Sequence, residues 1–202
     1  MAYGQRILKK LPIVCSKKTS MLVSLSTLLA RSKRRKEALF SCRFSDIPLA
    51  IAAVRAAEVH GKGLLLTLDI SKPLSYSPEF ALNAVLHLGR LSPVEVSVEV
   101  LTEPFQHSID DALEAGALAV SPLAHGISQE QLMALLAWAH KRTIAYGVET
   151  VAHIPVVKDS SHPSRLVEST GVQAARIHLK ASPQEIQQMV KDLKVPLLAD
   201  SD

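Results

Sequence analysis

The sequence predicts an α/β fold in which about seven strands alternate with helices and form a parallel sheet. Apolar, strand-like runs alternate with helix-like stretches, and short turns rich in Gly, Pro and Ser join them. Strands connected through helices in this way run parallel, with right-handed crossovers. The chain has 202 residues, 48% of them hydrophobic, which suits one well-filled domain and excludes a wholly disordered protein. A doubly wound sheet and a (β/α) barrel both satisfy this pattern.

The first predicted helix begins after Ser24 or Ser26, either of which can cap it, and runs to about Lys36. Its leucines share one face at helical spacing. Basic residues fill its last turns, where they meet the negative end of the helix dipole. The sequence before this helix shows no clear period.

Helix-capping residues and turn residues predict where the remaining helices and strands begin and end. Asp46 caps the second helix, Ser77 with Pro78 opens the third, Ser108 caps the fourth, and Ser128 with Gln131 has the spacing of a capping box. The predicted strands are 38–42, 64–70, 94–101, 117–121, 144–151, 172–179 and 195–199. The predicted helices between them are 48–60, 79–91, 109–115, 128–141, 164–169 and 182–193.

The charge is unevenly distributed. Residues 1–36 hold ten Lys/Arg and no acid, so the remainder carries 13 basic against 19 acidic residues, a net charge of −6. This acidic body excludes general nucleic-acid binding, which needs a positive surface. No apolar run approaches the ~20 residues of a membrane span. Two cysteines without metal-ligand spacing indicate reduced thiols in a cytoplasmic protein.

One predicted strand has an unusual pattern, with polar Glu95, Ser97 and Glu99 alternating with valines. If the valines face the helices, the carboxylates face the interior, where a barrel usually holds bulky apolar side chains. The pattern predicts a polar, water-containing core or a residual cation site. The alternative is that these side chains have a structural role only.

Other polar residues are predicted at strand ends, the rim where barrel enzymes place their sites. His153 and His162, with Asp159 between them, flank one loop, and His125 follows another strand. Lys180 follows the sixth strand, where a buried lysine can form a Schiff base. The alternative for each is an ordinary solvated rim residue.

Six segments, in order and spacing, carry a resemblance to a known family. They are MLVSLSTLLARS from residue 21, SDIPLAIAAVRAAE from 45, HSIDDALEAGALAV from 107, LLAWAHKRTIAYGVE from 135, SRLVESTGVQAA from 164 and VPLLADSD from 195. Together they resemble the class II, zinc-dependent fructose- and tagatose-bisphosphate aldolases. The resemblance implies a TIM (β/α)8-type barrel, here incomplete, with about seven βα units.

The motifs that carry the family's chemistry do not match. The family's His-Leu-Asp-His, with the catalytic aspartate and a zinc histidine, aligns with Glu99-Val100-Leu101-Thr102. The family's Asp-x-Ser-His, Gly-Thr-x-His-Gly and His-Gly-Gly-Ser-Gly align with Leu123-Ala124-His125-Gly126, Lys180-Ala181-Ser182-Pro183-Gln184 and Asp200-Ser201-Asp202. Glu149 aligns with the second glutamate of the family's Glu-Ala-Glu, near the metal.

These departures favour an aldolase-like barrel without aldolase catalysis, a pseudoenzyme or companion subunit of carbohydrate metabolism that needs no cofactor. Zinc aldolase chemistry needs about three protein ligands and a base. The weak candidates that remain are Glu149, His125 and Lys180 for catalysis, and Glu149 and Asp200 for metal. The alternative is an active, zinc-dependent aldehyde-lyase that cleaves a ketose bisphosphate with relocated residues.

The resemblance also divides the chain into a basic extension, residues 1–20, and an aldolase-like barrel, residues 21–202. An acid-poor, Lys/Arg- and Ser-rich start is also typical of organelle transit peptides, an alternative to a cytoplasmic location. An unclosed barrel exposes strand edges, so we expect a partner, either a second copy or an aldolase-like subunit.

Overall fold

The structure is a computed structural model that describes residues 21–37, 39–154, 163–178, 184, 191, 193 and 195–200. Its helices and strands follow one another in this order: α1 Leu25–Arg35, β1 Phe40–Phe44, α2 Ile47–His60, β2 Leu64–Asp69, α3 Pro78–Leu91, β3 Val96–Thr102, α4 Gln106–Glu114, β4 Ala119–Pro122, α5 Gln129–Tyr146, β5 Glu149–Ile154, α6 Pro163–Thr170, β6 Ala174–His178 and β7 Leu197–Asp200. The extension 1–20 and most of the helix predicted at 182–193 lie outside the described residues.

The seven strands form one curled parallel sheet, in the spatial order β1 to β7. Every described pairing is parallel and joins strands that are neighbours along the chain. Helices α2 to α6 fill the connections, as right-handed crossovers require. The chain therefore adopts an incomplete TIM-type barrel of about seven βα units, and the predicted fold class is confirmed.

Local sequence signals explain where most helices begin. Ser24 caps α1, Asp46 caps α2 and Ser77 caps α3, each through its side-chain oxygen. At the start of α5, Ser128 and Gln131 form both hydrogen bonds of a capping box. These predicted starts are confirmed, with Ser24 rather than Ser26 at the first helix.

The largest departures from the predicted boundaries are at α5, β5 and the start of α4. Helix α5 does not end near Lys141 but continues to Tyr146, and Gly147 ends it in a left-handed conformation with φ 68°. The fifth strand is therefore Glu149–Ile154 instead of 144–151. Ser108 does not cap α4, which already begins at Gln106 after a cap residue that makes no side-chain hydrogen bond.

Helix α1 closes the amino-terminal end of the barrel. Its buried Leu25 and Leu28 pack against interior residues of several strands, among them Leu65 and Ala119. Just before it, Met21 accepts a hydrogen bond of 2.8 Å from the backbone N–H of Val96, at the start of β3. Leu25, Leu28 and the strand residues that they contact form an apolar core inside the barrel. Another apolar core lies outside the sheet, where β2 and β3 pack against α2, α3 and α4. None of the helices in the described residues is long and apolar enough to cross a membrane.

Candidate functional site at the barrel mouth

The carboxyl ends of parallel strands lie at one end of a barrel, which we call the mouth, and enzymes of this fold place their sites there. Side chains alternate along each strand, so every second residue points inward. On β3 the outward residues Val96, Val98 and Val100 join the core beneath the helices, while Ser97 and Glu99 are fully buried on the inner face. The predicted inward direction is confirmed for Glu99, whereas Glu95 precedes β3 and pairs with Arg31 of α1 at 2.6 Å.

A buried ion pair lies at the centre of the barrel. Arg176 on β6 reaches across the interior and donates from Nη2 to Oε2 of Glu99, and the two side chains are only 2% and 0% exposed. Thr67 on β2 donates to the same oxygen at 3.0 Å. Because removal of one partner would leave an uncompensated buried charge, this pair ties β6 to β2 and β3.

Several oxygens beside this pair have no protein partner. Glu99 Oε1, Ser97 Oγ and Ser121 Oγ are buried and make no hydrogen bond in the described part of the chain. Ser97 and Glu99 are neighbours on the inner face of β3, and Ser121 lies on the adjoining strand β4. Buried polar groups of this kind are normally satisfied by ordered water. These polar side chains on the inner face agree with the predicted polar core.

Nearer the mouth, the carboxylate of Asp69 forms ion pairs with two cationic side chains. Asp69 Oδ2 lies 2.8 Å from Arg43 Nη2 and 3.7 Å from Lys72 Nζ. Its Oδ1 accepts from the backbone N–H of Ser71 at 3.1 Å and from the Ser71 hydroxyl at 2.6 Å. Two cations therefore share this one carboxylate.

Two predicted rim residues come together at the mouth. The rings of His125, which follows β4, and His153 on β5 have centroids 6.4 Å apart. His153 is buried and pairs in register with Arg176, whereas His125 is exposed. His162 and Asp159, predicted on the same loop as His153, lie outside the described residues.

Glu149 lies at the opposite end of the barrel from these histidines. It is the first residue of β5 and accepts from the backbone N–H of Ser26 at 2.8 Å and from the Ser26 hydroxyl at 2.5 Å. Ser26 is in the first turn of α1, so the carboxylate satisfies a free helical N–H and faces the positive end of the helix dipole. The structure does not bring Glu149 and His125 into one site.

The other predicted candidates are placed as follows. Asp200 ends β7 and pairs in register with His178 on β6. Lys180 lies outside the described residues. At the end of β3, where the class II resemblance places a catalytic aspartate and a zinc histidine, Leu101 and Thr102 are fully buried.

A leucine side chain neither transfers a proton nor binds a metal, so Leu101 itself supplies neither function at the end of β3. Among the described residues, no group of three or more His, Cys, Asp or Glu side chains is arranged to hold a metal ion.

Sequence reasoning missed Arg43, Thr67, Asp69 and Arg176 as members of the interior. In two of the strands, polar residues within an apolar run could have predicted these interior positions. In LLLTLDI, Thr67 and Asp69 are two residues apart and interrupt an apolar run, and in AARIH, Arg176 does the same. Polar residues at this spacing share the inner face of a strand.

The sequence matches no family model and no curated protein. Solved structures are similar to it. The YdjI aldolase from Escherichia coli K12 superimposes with a TM-score of 0.77 at 14% identity, over 88% of this chain and 72% of that one. A candidate fructose-1,6-biphosphate aldolase from Coccidioides immitis gives a TM-score of 0.68 at 13% identity, over 88% and 80% of the two chains. The fructose-bisphosphate aldolase (Fba) from Campylobacter jejuni gives 0.65 at 11% identity, over 90% and 77%.

The chain has an aldolase-like fold. At sequence identities of 11–14%, these similarities establish the fold of the chain but not its reaction, because proteins with this barrel architecture catalyse many different reactions. The resemblance noted in the sequence is thereby supported at the level of three-dimensional structure.

Proposed function

We propose that this chain is an aldolase-like barrel without class II aldolase catalysis, acting as a pseudoenzyme or companion subunit in carbohydrate metabolism. The observation that carries the proposal is the carboxyl end of β3. Leu101 and Thr102 are buried at the positions where the resemblance places the proton-transferring aspartate and a zinc histidine. Without a metal to polarise the carbonyl and a base to move the proton, the carbon–carbon bond of a ketose bisphosphate stays intact.

The charged groups of the interior support the same proposal. Glu99 is engaged by Arg176 and Thr67. Asp69 is engaged by Arg43 and by both donors of Ser71. These contacts link β2, β3 and β6 across the interior and β1 to β2 nearer the mouth, so these acids serve the architecture of the barrel.

The deciding experiment measures zinc and turnover on the purified full-length chain. Zinc is quantified by mass spectrometry of the metal, and cleavage of fructose- and tagatose-1,6-bisphosphate is followed with and without added Zn²⁺. An active class II aldolase serves as the positive control. We expect substoichiometric zinc and no cleavage above background. Stoichiometric zinc with measurable cleavage would refute the proposal.

The second candidate, an aldehyde-lyase with relocated residues, is favoured by the proximity of the rings of His125 and His153 at the mouth. It predicts cleavage that His125→Ala abolishes. Glu149→Ala tests the carboxylate retained from the family in the same assay. The exposed His87 on α3 provides a matched control, and His87→Ala leaves any true activity unchanged.

We also propose that the barrel assembles with a second copy or with an aldolase-like subunit. In the described part of the sheet, β1 pairs with β2 and β7 with β6, so the series has two outer strands. Proteins normally cover or pair such edges. Light scattering is expected to give a mass of at least twice 21.9 kDa, or a complex when the aldolase subunit is added. A monomer that binds no aldolase subunit would refute the assembly.

A further inference from the structure

A large cleft lies outside the barrel, between α3 and α4, and neither the mouth nor the proposed function uses it. Its volume is about 650 Å³, within the range of ligand-binding pockets. The floor is apolar and is formed by outward residues of the sheet and of α3, including Leu68, Leu82 and Val100. Its wall on the side of α4 includes the small side chains of Ala112 and of Ala115, the residue that follows the helix.

The rim of this cleft is acidic. Glu79 on α3 and Asp111 and Glu114 on α4 line it, and all three are exposed. Among the described residues that line the cleft there is no lysine or arginine. His107 is the other titratable group there, and its ring stacks on Phe105 with centroids 5.5 Å apart. An apolar floor with an acidic rim is complementary to a segment that is both apolar and basic.

The chain itself contains such a segment. Residues 1–20 carry five Lys/Arg and no acid, and their apolar residues cluster at ILKKLPIVC, positions 7–15. The described chain begins at the amino-terminal end of the barrel, because the carbonyl of Met21 accepts a hydrogen bond from Val96 at the start of β3, the strand that forms part of the cleft floor. The next residue, Leu22, packs against Gly89 at the end of α3, with Cδ1 only 2.8 Å from the position of a Cβ on that glycine.

The reach of the segment is sufficient. Cys15 is six positions before Met21, and an extended chain spans ~3.3 Å per residue, so the two can lie roughly 20 Å apart. The lower end of the cleft, at Ala115, lies at the same end of the barrel as Met21, since α4 ends there just before β4.

We propose that residues 1–20 dock in the cleft between α3 and α4, with their apolar side chains on its floor and their basic side chains against its acidic rim. This interaction covers an apolar surface of the barrel with the chain's own extension. It is independent of whether the mouth is catalytic.

Disulfide trapping in the full chain tests the proposal, because Cys15 lies in the docking segment. In a Cys42→Ser background, Ala115→Cys places a thiol in the cleft and keeps the acidic rim intact. The matched control is Val59→Cys, which is 82% exposed near the end of α2 at the same end of the barrel. In a glutathione redox buffer, we expect Cys15 to form a disulfide in the Ala115→Cys chain with an effective concentration at least about tenfold above that in the Val59→Cys chain.

Charge reversal provides the specificity test. Asp111→Lys with Glu114→Lys in the Ala115→Cys chain is expected to lower the effective concentration to the level of the Val59→Cys control, and high salt is expected to act in the same direction. Equal trapping at positions 115 and 59 would overturn the proposal. Cross-linking that depends on protein concentration would overturn it too, because the occupant would then come from another chain.

A second measurement needs no substitution in the cleft. A spin label on Cys15 of the Cys42→Ser chain is expected to broaden the amide resonances of Leu82 and Ala112 and to spare those of α5. Broadening spread evenly over both helices and α5 would contradict docking.

Discussion

The central ion pair gives the sharpest quantitative prediction. Replacing Arg176 with Met removes the cation and leaves the Glu99 carboxylate fully buried, with Thr67 as its remaining donor in the described residues. Breaking a buried pair by deleting one partner typically costs ~3–5 kcal/mol. Total stabilities are commonly about 5–15 kcal/mol, so this one substitution removes a large fraction of the free energy of unfolding.

Urea denaturation of Arg176→Met and of the parent chain measures this cost. With a slope of roughly 2 kcal/mol per molar urea, a loss of about 4 kcal/mol lowers the midpoint by about 2 M. The matched control is Arg55→Met, which breaks the exposed pair of Arg55 with Glu58 on α2 at 2.8 Å. Exposed pairs contribute about 0–1 kcal/mol, so the control midpoint moves little.

The double variant Glu99→Leu with Arg176→Met separates the charge from the packing. Replacing both partners with apolar residues removes the uncompensated charge, so we expect stability to return to the parent value or to rise above it. The reasoning is refuted if Arg176→Met costs no more than Arg55→Met. It is also refuted if the double variant is as unstable as Arg176→Met, because lost packing would then explain the effect.

Three further predictions concern other parts of the fold. Glu149→Gln removes the negative charge that caps α1 and is expected to cost about 1 kcal/mol in thermal or urea unfolding; an unchanged midpoint would show that the contact contributes nothing. Gly171→Ala is expected to destabilise by about 1–3 kcal/mol, because φ is +74° and the new Cβ would lie 2.7 Å from the ring of His140; Gly61→Ala, with open space and a similar φ, should cost less. Burial raises the pKa of the Cys42 thiol, so its alkylation, followed by peptide mass spectrometry, is expected to titrate at a higher pH than in the urea-unfolded chain; coincident profiles would contradict this.

Sequence reasoning succeeded where the determinants are local. The caps at Asp46, Ser77 and Ser128 depend on side chains next to the helical N–H groups they satisfy, and a short stretch of sequence records them. The inward direction of Glu99 follows from period-two alternation along a single strand. These features needed no information about which strands become neighbours.

The sequence-based prediction was wrong where tertiary packing determines the boundary between a helix and the next strand. The stretch at Thr143 and Ile144 favours a strand by its β-branched residues, yet Thr143 is buried within α5 and its hydroxyl lies 2.8 Å from that of Thr150. The helix stops at Gly147, and the strand begins at Glu149. This late start of β5 puts Glu149 at the amino end of its strand, against α1, rather than near the mouth.

The ion-pair partner of Glu99 could not be predicted from nearby sequence, because it lies far away along the chain. Arg176 is 77 residues further along the chain, and only closure of the sheet through β4 and β5 brings it across the interior. A buried arginine in a strand is costly unless it is paired, so its presence in AARIH signals that a carboxylate must lie opposite it. The sequence contained that requirement without naming the residue that meets it.

The pairing of interior charges also limits what the mouth can bind. An anionic ligand that approaches Arg43 must compete with Asp69, which already holds that guanidinium at 2.8 Å. Lys72 lies farther from the same carboxylate, at 3.7 Å, and is mostly exposed, so it is the more available cation of the two. A ligand bound there gains one partly screened charge interaction and leaves the central pair undisturbed. Weak, salt-sensitive anion binding that Lys72→Ala abolishes is therefore compatible with a non-catalytic barrel, whereas tight, salt-insensitive binding would require Asp69 to release Arg43.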